Sequence, residues 1–337
     1  MTTLLDAVKD YVTEELIPNE HKDPSLYKDE FVRMGFFRLG HSEENGGLGL
    51  SFLDQIKIQM QLGRTKLGFR NQFSTTTTLA SGLLDEYNQG DLLEQINNGT
   101  VISVAFTEPE KSTKTTYVEN SGKYYITGQK RYISNSQSAN WFIVYADGTF
   151  FVVPRNQVIV GKNYEKMGQD ENPVADVYFD NSCADRILGP IGKALPIAER
   201  AFTRGRLIVT AVSVGMCMRM CDEMTAYAKQ RDVFKHQLVQ GLIADSVAKT
   251  YAAKATVLDA AKNFSPLTSS SAKYFCTNIA NQVADNAVQV LGGYGYMRGH
   301  IIEQFYRDVR VMRLYEGTDQ IQQLHIAKYF QEGCINE

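Results

Sequence analysis

At 337 residues the chain can bury a sizeable core and exceeds the usual size of one domain, so two or three domains sharing a continuous interior are expected. Its 35 Lys and Arg against 38 Asp and Glu leave a net charge of −3, which gives no electrostatic reason to expect nucleic acid. No apolar run approaches the roughly 20 residues needed to span a bilayer, and Met1-Thr2-Thr3-Leu4-Leu5-Asp6 lacks the basic and apolar regions of a signal peptide; a cytoplasmic enzyme without a membrane span is expected.

Residues 1–100 read as helices. Leu4, Leu5, Val8, Tyr11 and Val12 recur at helical spacing before Pro18. Phe31, Met34 and Phe37 mark a second stretch, Glu44-Asn45-Gly46-Gly47-Leu48-Gly49 breaks it with a turn, and Leu53, Ile56, Ile58 and Leu62 restart it. Residues 101–190 change to short strands. Val101–Phe106 is a compact apolar run, and Asn120-Ser121-Gly122-Lys123 marks a turn before Tyr124 and Ile126. Asp147-Gly148 between Trp141–Ala146 and Thr149–Pro154 predicts a hairpin, because those two residues accept the positive φ of a tight primed turn. Val158–Val160 and Val174–Phe179 complete about six strands, a small antiparallel barrel or sandwich.

Residues 191–337 return to helix. The first long run carries Ile197, Ala201, Ile208, Val212, Gly215 and Met216 and ends near Arg231; the second carries Leu238, Ile243, Val247, Tyr251, Ala255 and Leu258. A third runs from Ala272 to Leu291 and closes at Gly292-Gly293, and a last one spans Glu316 to about Tyr329. Four long amphipathic helices pack most economically as an antiparallel bundle. The expected fold is therefore α+β, mainly α, in the order helices, β, helices.

Metal chemistry is not expected. Cys183, Cys217, Cys221, Cys276 and Cys334 lack zinc-site spacing, and His21, His41, His236, His300 and His325 form no HxxxH or HExxH pattern; buried small hydrophobes describe the cysteines better. Gly292-Gly293-Tyr294-Gly295 follows a helix where a dinucleotide fingerprint needs a strand, which leaves a helix C-cap as its reading.

A longer series of motifs is more specific. Asn286 to Tyr296, then Tyr306-Arg307-Asp308, then Leu314-Tyr315-Glu316-Gly317-Thr318-Asp319-Gln320-Ile321-Gln322 resembles the C-terminal signature of the acyl-CoA dehydrogenase family. Thr107-Glu108-Pro109, Gly128 to Asn135, Met167-Gly168 and Val177-Tyr178-Phe179 resemble its middle region, and Glu44 to Gly49 its N-terminal glycine turn. The resemblance runs in order through nearly the whole chain. It implies FAD and α,β-dehydrogenation of an acyl thioester. In that family the base stands either in the Tyr-Glu-Gly-Thr segment, here Glu316, or just before the arginine of the first long bundle helix, where this chain has Gly205 ahead of Arg206. Glu316 is thus the expected base, taking the α-proton while the β-hydride passes to flavin N5; a plain helix-capping carboxylate is the alternative. The thioester carbonyl would be held by the flavin ribityl hydroxyl and the backbone N–H of the base, as in an oxyanion hole.

Further roles follow from the same resemblance. Phe106, Thr107 and Thr113 match flavin-edge and phosphate contacts, Tyr132 stands where a tryptophan usually stacks, and Ser134 where a hydroxyl meets the ring. Arg231, Phe234, Gln289, Gly292 and Gly293 match contacts made from a neighbouring subunit, with Thr318 and Gln320 further cofactor contacts, so a homodimer or homotetramer is implied. Arg206, Tyr315, Gly317 and Lys328 match the substrate side. Electrons would leave to an electron-transfer flavoprotein or to O₂.

The chain departs from the pattern after Pro109, where Glu110-Lys111-Ser112-Thr113-Lys114 replaces a Gly-Ser-Asp stretch, and at Lys235 and Gln323. The segment ahead of Thr107 is also short for the family. Both features suggest a thioester on an acyl carrier protein as an alternative to free CoA, with Lys111 and Lys114 facing its acidic surface; drift in exposed loops is the plainer account. Two other functions fit the same scaffold: a flavin-dependent monooxygenase, which has no need of Glu316, and a flavin-free scaffold.

Overall fold

The computed structural model describes residues 3–110 and 114–331. Ahead of the strands lie α1 (Leu4–Tyr11), α2 (Lys28–Arg33), α3 (Phe52–Leu62), α4 (Leu67–Asn71), α5 (Ser81–Glu86) and α6 (Gly90–Asn97). Their apolar faces meet in an aromatic core of Phe31, Phe36, Phe37, Phe69 and Phe73, in which Phe36 and Phe73 stack with centroids 5.4 Å apart. A short π-helical stretch, Thr76–Ala80, leads into α5.

Eight strands follow: β1 (Ile102–Ala105), β2 (Thr116–Asn120), β3 (Lys123–Ser134), β4 (Trp141–Ala146), β5 (Thr149–Pro154), β6 (Ile159–Val160), β7 (Val174–Cys183) and β8 (Arg186–Leu188). They form two four-stranded sheets, ordered β1-β4-β5-β8 and β2-β3-β7-β6. Both expected tight turns are present, with Ser121 and Gly122 at φ 53° and 75°, and Asp147 and Gly148 at φ 40° and 76°. Val144, Phe151 and Val153 of one sheet pack with Ile126, Val177 and Phe179 of the other. The other face of the first sheet, through Ile143, Phe150 and Val152, joins the core of the N-terminal helices. The expectation of purely antiparallel strands fails at β1, which pairs in parallel with β4. Helices, not a hairpin, deliver the chain to β1, so no tight turn dictates its direction. β8 is a three-residue edge with too little periodicity to read.

The C-terminal region is built on α7 (Ala194–Gln230), α8 (Gln237–Lys262) and α9 (Pro266–Leu291), which pack on one another. Ser265 caps α9 with a capping box, so that the helix begins at Pro266, six residues ahead of the expected start, and Gly292 ends it at φ 61°. The expected fourth helix is α12 (Asp319–Gln331); two elements that were not expected precede it, the single turn α10 (Gly293–Tyr296) and α11 (Ile301–Val311), and both α11 and α12 pack on α9. Glu316 at φ 55° and Gly317 at φ 90° cannot continue a right-handed helix, so α12 starts beyond them. Cys217, Cys221 and Cys276 are buried as expected, whereas Cys183 is half-buried on β7; Cys334 lies outside the described residues. Among the described residues no helix is long and apolar enough to cross a membrane.

α7 is held to the N-terminal helices by glycines. A Cβ on Gly215 would lie 2.0 Å from the Met60 carbonyl oxygen, and one on Gly63 would lie 2.3 Å from that of Val212. Gly215→Ala is therefore expected to cost about 1–3 kcal/mol by overpacking. Gly241→Ala, on the open face of α8 with nothing within 4 Å, should add about 0.5–1 kcal/mol through helix propensity. Urea denaturation of both variants checks the pair, and equal midpoints would contradict the close packing.

Candidate active site

The residue at the centre of the site is set by backbone geometry. Between α11 and α12 the chain reverses through Met312–Thr318, clamped at its base by the Arg313–Asp319 ion pair at 2.7 Å. Leu314 and Tyr315 still donate backbone N–H to the Val311 carbonyl, and then Glu316 and Gly317 turn left-handed. A non-glycine residue at positive φ is unfavourable and persists when its surroundings fix it. Here the fixing contacts are on the carbonyls. Gln322 Nε2 donates to the Glu316 and Gly317 carbonyls at 3.1 and 2.9 Å, Lys273 Nζ to that of Gly317 at 2.7 Å, and Arg206 Nε to that of Glu316 at 3.4 Å.

The turn sends the Glu316 carboxylate against α7. A Cβ built on Gly205 would lie 2.9 Å from Glu316 Oε2 and 3.3 Å from Leu79 Cδ2. Both positions read as alternative sites for the base therefore converge on one point, and the glycine leaves room for the carboxylate. Oε2 is buried without a hydrogen-bond partner among the described residues. Burial pushes the carboxyl up to about 7, against the opposing pull of Arg206, Lys273 and Arg70. The capping alternative does not fit, because α12 begins at Asp319 and the carboxylate points at α7.

Arg70 and Tyr315 form the next layer. Arg70, buried on α4, donates to Gln59 Oε1 at 2.6 Å and faces both Tyr315 and Glu316. Burial pushes the Tyr315 hydroxyl up to about 12, with Arg70 and the neighbouring Gln169 side chain opposing. Gln169 in turn donates its backbone N–H to the buried Asp308, whose carboxyl burial raises to about 7. Tyr306-Arg307-Asp308 thus ties the Met167-Gly168-Gln169 loop to α11, with Arg307 donating to the Met167 carbonyl at 3.0 Å.

α4 also connects Glu316 to the sheets. The Asn71 carbonyl accepts from Asn135 Nδ2 at 2.9 Å, at the end of β3. Asn71 Nδ2, Thr78 Oγ1, Ser136 Oγ and Gln322 Oε1, on four different segments, are buried without partners among the described residues. Buried polar groups normally find partners, so these atoms leave hydrogen-bonding capacity that a polar ligand could use. A register shift between Lys130 and Ile133 turns Tyr132 outward at φ 58°, 57% exposed, with Arg131 over its ring and Tyr164 5.3 Å away. Phe106 packs edge-on to Phe202 of α7 at 5.0 Å, and its carbonyl accepts from the buried Lys130 at 3.2 Å. The Thr107 carbonyl takes the Arg131 N–H at 2.8 Å. Ser134 closes β3, its carbonyl accepting from Ser103 Oγ at 2.8 Å. Orphaned donors and an outstanding aromatic face fit a flat, polar cofactor such as FAD.

A second group lies elsewhere. Arg231 caps α7 about seven turns beyond Gly205, roughly 39 Å along the helix. It is exposed there, as are Gln289, Gly292 and Gly293 at the end of α9, while Phe234 packs against the bundle core. A Cβ on Gly292 or Gly293 would meet nothing within 4 Å, so this backbone is open to approach. The Arg231 group and Glu316 are not brought together within one chain. Thr318 is half-buried at the head of α12, Gln320 is exposed, and Lys328 is exposed near the C-terminal end of the helix. Thr113 and Lys111 lie outside the described residues. Sequence reading passed over Lys273, Arg70 and Gln322. For Lys273 a signal existed, since it falls on the apolar stripe of Ala272, Cys276 and Ala280.

The chain matches three family models in order: acyl-CoA dehydrogenase N-terminal domain over residues 2–92, middle domain over 103–182 and C-terminal domain over 192–330. It is 31% identical to a 3-(aryl)acrylate reductase of Clostridium sporogenes, with 95% of each chain covered. It is 29% identical to the caffeyl-CoA reductase-Etf complex subunit CarC of Acetobacterium woodii, covering 95% of this chain and 94% of that one. A solved acyl-CoA dehydrogenase complexed with FAD from Bacillus anthracis superposes with a TM-score of 0.87 at 26% identity, covering 99% of this chain and 67% of that one. The chain belongs to the acyl-CoA dehydrogenase family, oxidoreductases that act on CH–CH bonds with FAD as cofactor.

Proposed function

We propose that this chain interconverts an acyl thioester and its α,β-unsaturated form, with Glu316 transferring the proton at the α-carbon. The observation that carries this reading is the buried, partnerless Glu316 Oε2 against Gly205. Bound FAD supplies the two-electron chemistry, exchanging hydride with the β-carbon. Phe106, Thr107, Tyr132 and Ser134 would hold it from one chain. Arg231, Phe234, Gln289, Gly292 and Gly293 of a second copy would complete the site, with Thr318 and Gln320 as further contacts, which makes a homodimer the smallest complete unit.

Each remaining step belongs to residues of the chain. As the α-proton leaves for Glu316, negative charge grows on the thioester oxygen. The Glu316 N–H has no hydrogen-bond acceptor among the described residues, and it donates to that oxygen. Arg206 and Arg70 favour the ionised carboxylate from which the transfer starts, and the charge passes to the thioester oxygen as Glu316 is neutralised. A carboxyl titrating near 7 serves as base in one direction and acid in the other, which suits a family that includes relatives named as reductases. The Etf in the name of one relative motivates an electron-transfer flavoprotein as partner here. Matched CoA and carrier-protein thioesters of one acyl group distinguish the two substrate forms by turnover.

Anaerobic addition of an acyl thioester should bleach the flavin in the unsubstituted protein. Glu316→Gln should keep FAD but slow bleaching by about 10²–10⁴-fold, and wild-type rates in that variant would overturn the reading. A requirement for external reductant and O₂ would favour the monooxygenase instead. Because the two positions converge, Gly205→Glu added to Glu316→Ala should recover at least about tenfold over the single variant.

Stability gives a flavin-independent check. Burial raises the Glu316 pKa from 4.5 to about 7, so between those values the folded chain keeps a proton that the unfolded chain has lost. Its contribution is present below about pH 4.5 and lost as pH rises through about 7. Glu316→Gln should therefore lose less stability between pH 5 and pH 8, and at pH 8 exceed the unsubstituted protein by about 1–3 kcal/mol. Parallel melting-temperature profiles would contradict a raised Glu316.

A further inference from the structure

Lys273 is an unusual core residue. It sits mid-helix on α9, fully buried, among Ala272, Cys276 and Ala280. A lysine with no exposure is rare unless paired, because desolvating an ammonium is costly. Its ammonium donates to a main-chain oxygen, that of Gly317 at 2.7 Å, and not to a carboxylate. The nearest carboxylates, Glu316 and Asp319, act on it through space, and Asp319 is already held by Arg313 and Asn278. Burial pulls the ammonium down to about 8. A group that strained is retained for something other than packing, and methionine would fill the same volume without a charge.

The contact explains the turn. The left-handed Glu316-Gly317 pair needs its carbonyls directed inward, and Lys273 takes the second of them from beneath while Gln322 takes both from α12. Without the ammonium the Gly317 carbonyl keeps one side-chain donor and the Glu316 φ loses a restraint. We propose that Lys273 is a positioning residue for Glu316: its ammonium fixes the turn that aims the carboxylate at Gly205, and its positive charge favours the ionised carboxylate. The charged and titratable groups facing Glu316 are Arg70 from α4, Arg206 from α7 and Lys273 from α9. Arg206 opposes the charge on Lys273, and Asp319 on α12 and Tyr315 within the turn complete the set. Lys273 is the one fully buried member that also bonds the turn itself. The inference rests on Glu316 as the proton-transfer group.

Two variants separate the two roles. Lys273→Gln can keep a donor to the Gly317 carbonyl but removes the charge; Lys273→Met removes both. With FAD bound and an acyl thioester as reductant, the acid limb of flavin reduction should move up by about one pH unit in both. That is about a tenfold loss of rate at pH 6, recovered at pH 9 by Lys273→Gln and not by Lys273→Met. Without any substrate, the pH window in which melting temperature falls through Glu316 should move up by the same amount, and the wild-type FAD content should be retained. Unchanged acid limbs and melting profiles in both variants would overturn the proposal. So would failure of both to fold, which would assign the lysine to core stability. If Glu316→Gln reduces its flavin at the wild-type rate, the reading of Glu316 itself falls. If that variant is inert while the Lys273 variants keep the original pH profile, Lys273 alone loses its role.

Discussion

A carboxylate with one oxygen buried and unpartnered among the described residues faces a glycine across a helix surface, and much of the molecule can be read as the means of keeping it there. Desolvation destabilises the ionised form, and three cations from three helices hold it within reach of neutral pH instead of letting it stay protonated. The cost of that arrangement is met by the long α7, by the clamp of Arg313 on Asp319, and by carbonyl contacts that over-determine a left-handed turn. The chemistry needs a base that is weakly solvated yet ionisable, and burial among cations supplies both properties.

α7 also separates the two groups of residues proposed to hold the cofactor. Gly205 and Arg206 lie near its start and Arg231 at its end, with roughly 39 Å of rigid helix between them. A cofactor contacting both groups must do so across two chains. The glycine contacts of α7 with α3 fix its position relative to the N-terminal helices, and α4, from the same region, delivers Arg70 to Glu316 and Asn71 to the end of β3. The N-terminal helices thus help to build the candidate site around Glu316.

Much of this was legible in the sequence, for identifiable reasons. Periodicity located the long helices because each buries a continuous stripe, and Asp147-Gly148 located a hairpin because few residue pairs accept its dihedrals. The Tyr-Glu-Gly-Thr segment pointed to Glu316 by resemblance. Glu316 itself takes a positive φ that no propensity predicts, and the last helix consequently starts later than its polar pattern suggests. α11 was invisible because two of the residues it buries, Glu303 and Asp308, are charged and interrupt the apolar stripe of Ile302, Phe305 and Val309. The parallel pairing of β1 with β4 depends on how helices deliver the chain, which strand composition does not encode. Lys273 and Arg70 were missed because a charged residue in a helix reads as solvated unless its burial is known.

The most direct test of the account is whether the α-hydrogen of a bound acyl thioester leaves to Glu316. Incubation in ²H₂O with the FAD-loaded protein, followed by mass spectrometry of recovered thioester, reads that step without requiring net oxidation. The account predicts deuterium at the α-carbon, at a rate that rises with pH through about 7 and collapses in Glu316→Gln. Exchange that persists at the same rate without the carboxylate would contradict it.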